Sequence, residues 1–155
     1  MIDKNHQRAV DSFRFLLITA AVIFTGFYLI SALSRIGNDE AYPPVELSSV
    51  SKTNMIVDGN TDSIPDNGDI SLYHYAGAAL TFITGNAHFS LRLISFLSSL
   101  VIFAFIFGIV KRETGEALPA LISVGFFAAC FDLAGGAFDL ATGDSFYLSF
   151  LIFGL

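Results

Sequence analysis

Two stretches of this chain can be accommodated in very few ways. Phe15 to Leu33 is 19 residues without a charge, and Phe89 to Val110 carries only Arg92. At 1.5 Å per residue, a helix of about 20 residues spans the roughly 30 Å hydrocarbon core of a bilayer. With 54% hydrophobic and 14% charged residues, the chain is too apolar for an ordinary soluble domain. The sequence therefore predicts an all-α, polytopic transmembrane protein in contact with membrane lipid. Its net charge of -6 gathers mostly in one hydrophilic segment and offers no basic patch, so no nucleic-acid partner is expected. The single cysteine, Cys130, excludes an intramolecular disulfide.

In chain order, residues 1–14 read as a short basic leader on the cytoplasmic side, and 15–33 as the first transmembrane helix. A cleavable signal peptide competes with that anchor, but the apolar run exceeds a typical signal core. Residues 34–69 have loop composition, acidic apart from Arg35 and Lys52. Lys and Arg cluster at the N-terminus and at Lys111-Arg112, so the positive-inside rule places this acidic loop outside. Glu46, lying inside it, is expected to matter little. Residues 70–84 are apolar and aromatic but too short to span, and predict an interfacial helix ended by Gly85-Asn86. Residues 89–110 and 117–131 follow as the second and third spans, and 132–143 as a second outer loop. Residues 144–155 begin a fourth helix too short to cross, so the chain is expected to be the front portion of a longer protein.

Candidate chemistry collects at the outer face: Asp39-Glu40 after the first helix, Leu72-Tyr73-His74-Tyr75, Arg92-Leu93-Ile94-Ser95 entering the second span, and Ala141-Thr142-Gly143-Asp144 before the fourth. With Lys111-Arg112 as a basic inner turn, this order resembles the GT-C superfamily of membrane glycosyltransferases. The likeness is to the polyprenyl-phosphate-sugar users that include aminoarabinose transferases and protein O-mannosyltransferases. The resemblance implies a lipid-linked sugar donor, an acceptor at the outer face, and a cell-envelope location in a bacterial inner membrane. It makes Asp39 the base or acceptor-orienting carboxylate, Glu40 its support, and Asp144 a third carboxylate on the same cavity. Arg92, Tyr73 and His74 become substrate-binding residues, with room for a divalent metal. The family's basic residues are absent here, Asp69-Ile70-Ser71 preceding Leu72-Tyr73 and Thr142 preceding Gly143-Asp144. Glycosyl transfer from a lipid phosphate needs a carboxylate to handle the acceptor proton and a cation or metal for the departing phosphate.

Each of these residues also has a plainer reading. Arg92 can snorkel to the surface, Asp144 can answer a helix dipole, and His74 can simply lie at the interface. A separate stretch, Asp58 to Asp69, sets Asp58, Asn60, Asp62, Asp66 and Asp69 at spacings that suit calcium and resembles the loop of thrombospondin type 3 repeats. The same stretch also reads as a solvated acidic loop. The alternative to an enzyme is thus a non-enzymatic membrane protein whose outer loop binds calcium or a partner.

Overall fold

The computed structural model describes residues 4–36, 44–60, 70–133 and 143–154. Among the described residues every regular element is a helix: α1 Lys4–Ile36, α2 Pro44–Val57, α3 Leu72–Thr84, α4 Ala87–Thr114, α5 Ala117–Leu133 and α6 Asp144–Phe153. The all-α expectation holds. Among the described residues two helices are long and apolar enough to cross a membrane, over Ala9–Ile36 and Ala87–Thr114.

Two boundaries differ from expectation. The leader is continuous with the first helix from Lys4 onward, since no Pro or Gly interrupts residues 4–25. More consequentially, the predicted loop over 34–69 contains α2. Pro44 occupies its first position, where a missing N–H costs nothing, and Glu46 lies in the first turn, where the helix dipole favours an acid. Gly59, in the left-handed region at φ 70°, follows its end. Its serines and threonine argued for a loop, yet Thr53 returns its hydroxyl hydrogen bond to the Ser49 carbonyl at 2.9 Å and so does not compete with the helix.

The chain forms two compact units. The first comprises Met1–Ser31 with Phe103–Gly135, and the second Ala32–Ile102 with Gly136–Leu155. In the first, α5 presents a row of small buried residues, Ala120, Val124 and Ala128. Gly125 lies so close to α1 that an added Cβ would stand 2.4 Å from the Ala21 Cα. Tyr28, Phe103 and Phe127 supply the bulk, with ring centroids 5.0 and 5.7 Å apart along the series. In the second, Tyr73 and Leu91 form the centre of an apolar cluster joined by Val50, Ile94 and Phe146.

Polarity runs in reverse of a water-soluble fold. Helix α4 buries His88, Ser90, Arg92, Ser95, Ser98 and Ser99 while Leu97, Val101 and Ile109 are exposed. Helix α3 buries His74 and Thr81 while Leu72, Phe82 and Ile83 face outward. On α1, Phe15, Ile23, Phe27 and Ile30 are likewise exposed. Buried polar groups combined with large exposed apolar surface are the informative departures from the ordinary rule, and both occur together here.

Candidate functional site

The first turns of α4 place His88 and Arg92 four residues apart, on one helical face. Both reach Glu46 of α2. His88 Nε2 donates to Glu46 Oε2 at 2.8 Å, Arg92 Nη2 donates to the same oxygen at 3.0 Å, and Arg92 Nε donates to Oε1 at 3.3 Å. Glu46 is 0% exposed and Arg92 7%. Arg92 Nη1 also donates to the backbone carbonyl of Arg35, in the last turn of α1. The guanidinium is therefore satisfied within the protein and does not snorkel. Glu46, expected to be an inconsequential loop residue, is instead fully buried, alone in this among the acids whose burial is described; the signal for it was Pro44-Val45-Glu46 opening a helix.

One turn along α4 lies a network of hydroxyls. The Tyr73 hydroxyl donates to the Leu91 carbonyl at 2.9 Å and lies 2.9 Å from Ser95 Oγ, while Ser145 Oγ of α6 donates to the Ser95 carbonyl at 3.1 Å. Burial pushes the Tyr73 phenol well above its ordinary range, so it remains a protonated donor. Gly143, at φ 83°, seats the start of α6 against this ring: a Cβ there would approach Tyr73 to 3.1 Å, and the backbone conformation itself disfavours a side chain. Asp144 follows immediately as the exposed first residue of α6.

His74 serves α3 locally. Its Nδ1 accepts the Ser71 backbone N–H at 3.1 Å and lies 2.7 Å from Ser71 Oγ, closing a reciprocal cap on the helix N-terminus. Burial first, and Lys52 second, hold its pKa below the usual histidine range. The ring is thus neutral with its proton on Nε2, and Nδ1 is engaged rather than open to a metal.

Of the predicted site residues, Tyr73 is therefore joined to Leu91 and Ser95 of α4 and to Gly143 at the start of α6, while His74 caps its own helix, Arg92 pairs with Glu46, and Asp144 is exposed. Asp39 and Glu40 lie outside the described residues, as do Asp62, Asp66 and Asp69 of the acidic stretch. Asp58 and Asn60 are exposed in the turn that ends α2, where their amides bond to the Asn54 and Met55 carbonyls. Among the described residues no three His, Cys, Asp or Glu side chains converge as a metal site. Beyond Ser95, α4 and α6 border an apolar groove of about 240 Å³ lined by Ile94, Leu97, Val101, Phe146 and Phe150 together with Ser98 and Ser149.

No protein-family model, curated protein or solved structure matches this chain.

Proposed function

We propose that this chain is part of an integral-membrane glycosyltransferase that moves a sugar from a polyprenyl-phosphate donor to an acceptor at the outer face of the membrane. The observation that supports the reading is that Tyr73 of α3, Ser95 of α4 and Ser145 of α6, far apart in sequence, join in one hydrogen-bond network within a single unit, with His74 and Asp144 next in the chain to Tyr73 and Ser145. Arg35, whose carbonyl Arg92 holds, is four residues before Asp39 in the sequence. The reversed polarity supports the membrane setting, because polar side chains inside a bilayer face the protein interior while apolar ones meet lipid. With Lys111-Arg112 inside, α1 and α4 cross, α3 lies at the outer surface, and the site opens outward.

In this reaction the acceptor's oxygen or nitrogen attacks the anomeric carbon, the carbon–oxygen bond to phosphate breaks, and the acceptor proton leaves to a base. Asp39 takes that proton or aligns the acceptor, with Glu40 holding it and Asp144 approaching from α6. Purified protein in liposomes, supplied with polyprenyl-phosphate sugars, is the test. Asp39→Asn keeps size and removes basicity, and is expected to lower turnover on the order of 100-fold with abundance and insertion unchanged. Asp144→Asn reports on the third carboxylate in the same assay. Near-full transfer by Asp39→Asn would remove it as the catalytic carboxylate, and failure of every polyprenyl-phosphate sugar to react would overturn the glycosyltransferase reading.

A further inference from the structure

Within the second unit, α4 and α6 leave a groove between two apolar ridges. Leu97 and Val101 form one ridge and Phe146 and Phe150 the other, each pair four residues apart on its helix, with the two Phe ring centroids 4.9 Å apart. The small residues Ser98 and Ser149 lie between the ridges and are buried, whereas Leu97 and Phe150 are exposed. The two hydroxyls differ in what they bond. Ser149 Oγ donates to the Phe146 carbonyl at 2.7 Å. Ser90, Ser95 and Ser99, the other buried serines of α4, are likewise engaged, with the Asn86 carbonyl, the Tyr73 hydroxyl and the Phe96 carbonyl. Ser98 is 8% exposed and lines the groove, yet its hydroxyl makes no hydrogen bond among the described residues. It lies eleven residues after Ala87 and thirteen before Lys111, so about 16 and 20 Å along the helix from either.

We propose that this groove seats a transmembrane helix of another polypeptide, one that brings a Ser or Thr hydroxyl against Ser98. The inference rests on the reading of α4 as a membrane span and not on the transfer reaction. Three physical points carry it. The first is depth: in a hydrocarbon layer about 30 Å thick, Ser98 falls near the middle, so the ester groups and headgroups of lipids, about 15 Å away at the edge, do not reach its hydroxyl. The second is the state of that hydroxyl. A polar group taken out of water without a partner is unfavourable, and an acyl chain lying in the groove would leave it so. The third is shape. A helix ridge fits between two ridges of its neighbours, small residues such as Ser98 and Ser149 let helix backbones approach closely in a membrane, and Ser and Thr hydroxyls bond across helices there. Among the described residues no charged side chain lines the groove, so the face it receives is an uncharged one.

The experiment places the whole chain in liposomes with fluorescent synthetic helices of about 20 leucines, flanked by lysines, with or without one central serine. Flotation of the proteoliposomes on a density gradient first establishes insertion; a chain that stays behind overturns the membrane setting and the seat together. Energy transfer from a fluorophore on the N-terminus of the chain then reads the binding of each peptide. The serine peptide is expected to half-saturate the wild-type chain at a peptide-to-lipid ratio about threefold lower than the leucine peptide, the scale of one interhelical hydrogen bond in a membrane. Ser98→Ala is expected to remove that difference. Ser149→Ala, which deletes a hydroxyl already bonded within α6, is expected to keep it. Equal binding of the two peptides by the inserted wild-type chain, or none, overturns the proposal and leaves the groove to lipid. A preference that survives Ser98→Ala also overturns it. Energy transfer between copies of the chain without peptide, lost in Ser98→Ala, would make the occupant a second copy and overturns it too. Because no readout involves sugar transfer, failure of the glycosyltransferase reading leaves this result standing.

Discussion

At the scale of single residues, the contrast between Glu46 and Tyr73 is instructive. Tyr73, singled out through its place in the Leu72-Tyr73-His74-Tyr75 motif as a substrate-binding residue, is found buried at the centre of a hydroxyl network with Leu91 and Ser95. Glu46 was not singled out, because a lone acid in a Ser-rich, Pro-rich stretch has the composition of solvated loop, and only its partners His88 and Arg92, more than forty residues away, reveal that it is buried. Sequence periodicity reports which face a residue shares with its helical neighbours but not which distant charge will meet it. The Tyr73 hydroxyl is also the simplest interaction to measure. Tyr73→Phe keeps the ring contact with Phe146, 5.6 Å between centroids, and deletes the donor to Leu91. It is expected to lower unfolding stability by about 1 kcal/mol in a reversible titration from mild to denaturing detergent. A loss close to zero would mean that the network is not maintained in lipid.

Among the elements, α3 to α6 were legible as helices and nearly in extent because each combines an apolar run with a Gly, Asn or Pro near its edge. Gly85 after α3 and Gly115 after α4 both take positive φ where helices were expected to stop. Helix α2 was missed because its hydroxyl-bearing residues look like turn formers, while Val50, which packs on the Tyr73 and Leu91 cluster, is a single apolar residue among them. Helix α3 carries a pH-dependent feature in its cap. The folded protein holds His74 neutral, with a pKa below the ordinary value of 6.5, so its cap contributes fully above that value. As pH falls below about 6.5, the unfolded chain binds a proton that the folded one refuses, and stability declines until the folded ring itself is protonated. Lys52, facing from α2, adds to the penalty. Thermal unfolding is therefore expected to shift to lower temperature between roughly pH 7.5 and pH 5, and His74→Gln, whose amide oxygen can accept the Ser71 N–H, should flatten that slope. An identical slope in the variant would assign the pH dependence elsewhere.

For the whole molecule, the alternation of long apolar runs with polar breaks was enough to give an all-helical architecture and to locate two helices of spanning length. It could not give the reversed polarity of α3 and α4, which depends on which face of each helix meets protein. The proposed orientation places Ser48, exposed on α2, outside and Glu113, exposed at the end of α4, inside. In a background with Cys130 replaced by Ala, Ser48→Cys is expected to react with a membrane-impermeant thiol reagent added to intact cells, and Glu113→Cys to react only after the membrane is opened. Equal labelling of both before opening would overturn the orientation. Asp39 and Glu40 lie outside the described residues, between Arg35 and Glu46 in the sequence.

The pairing of Glu46 with Arg92 bears on how such a chain is made. Ribosomes deliver Glu46 first, and α4 emerges later with an arginine near its leading end. Moving a bare arginine into hydrocarbon costs about 2.5–3.5 kcal/mol at the middle of a span, and less toward its end. In the proposed orientation, a carboxylate already on the far side would offset that cost as α4 settles, and the hydrophilic stretch after α1 would then escort the next spanning helix.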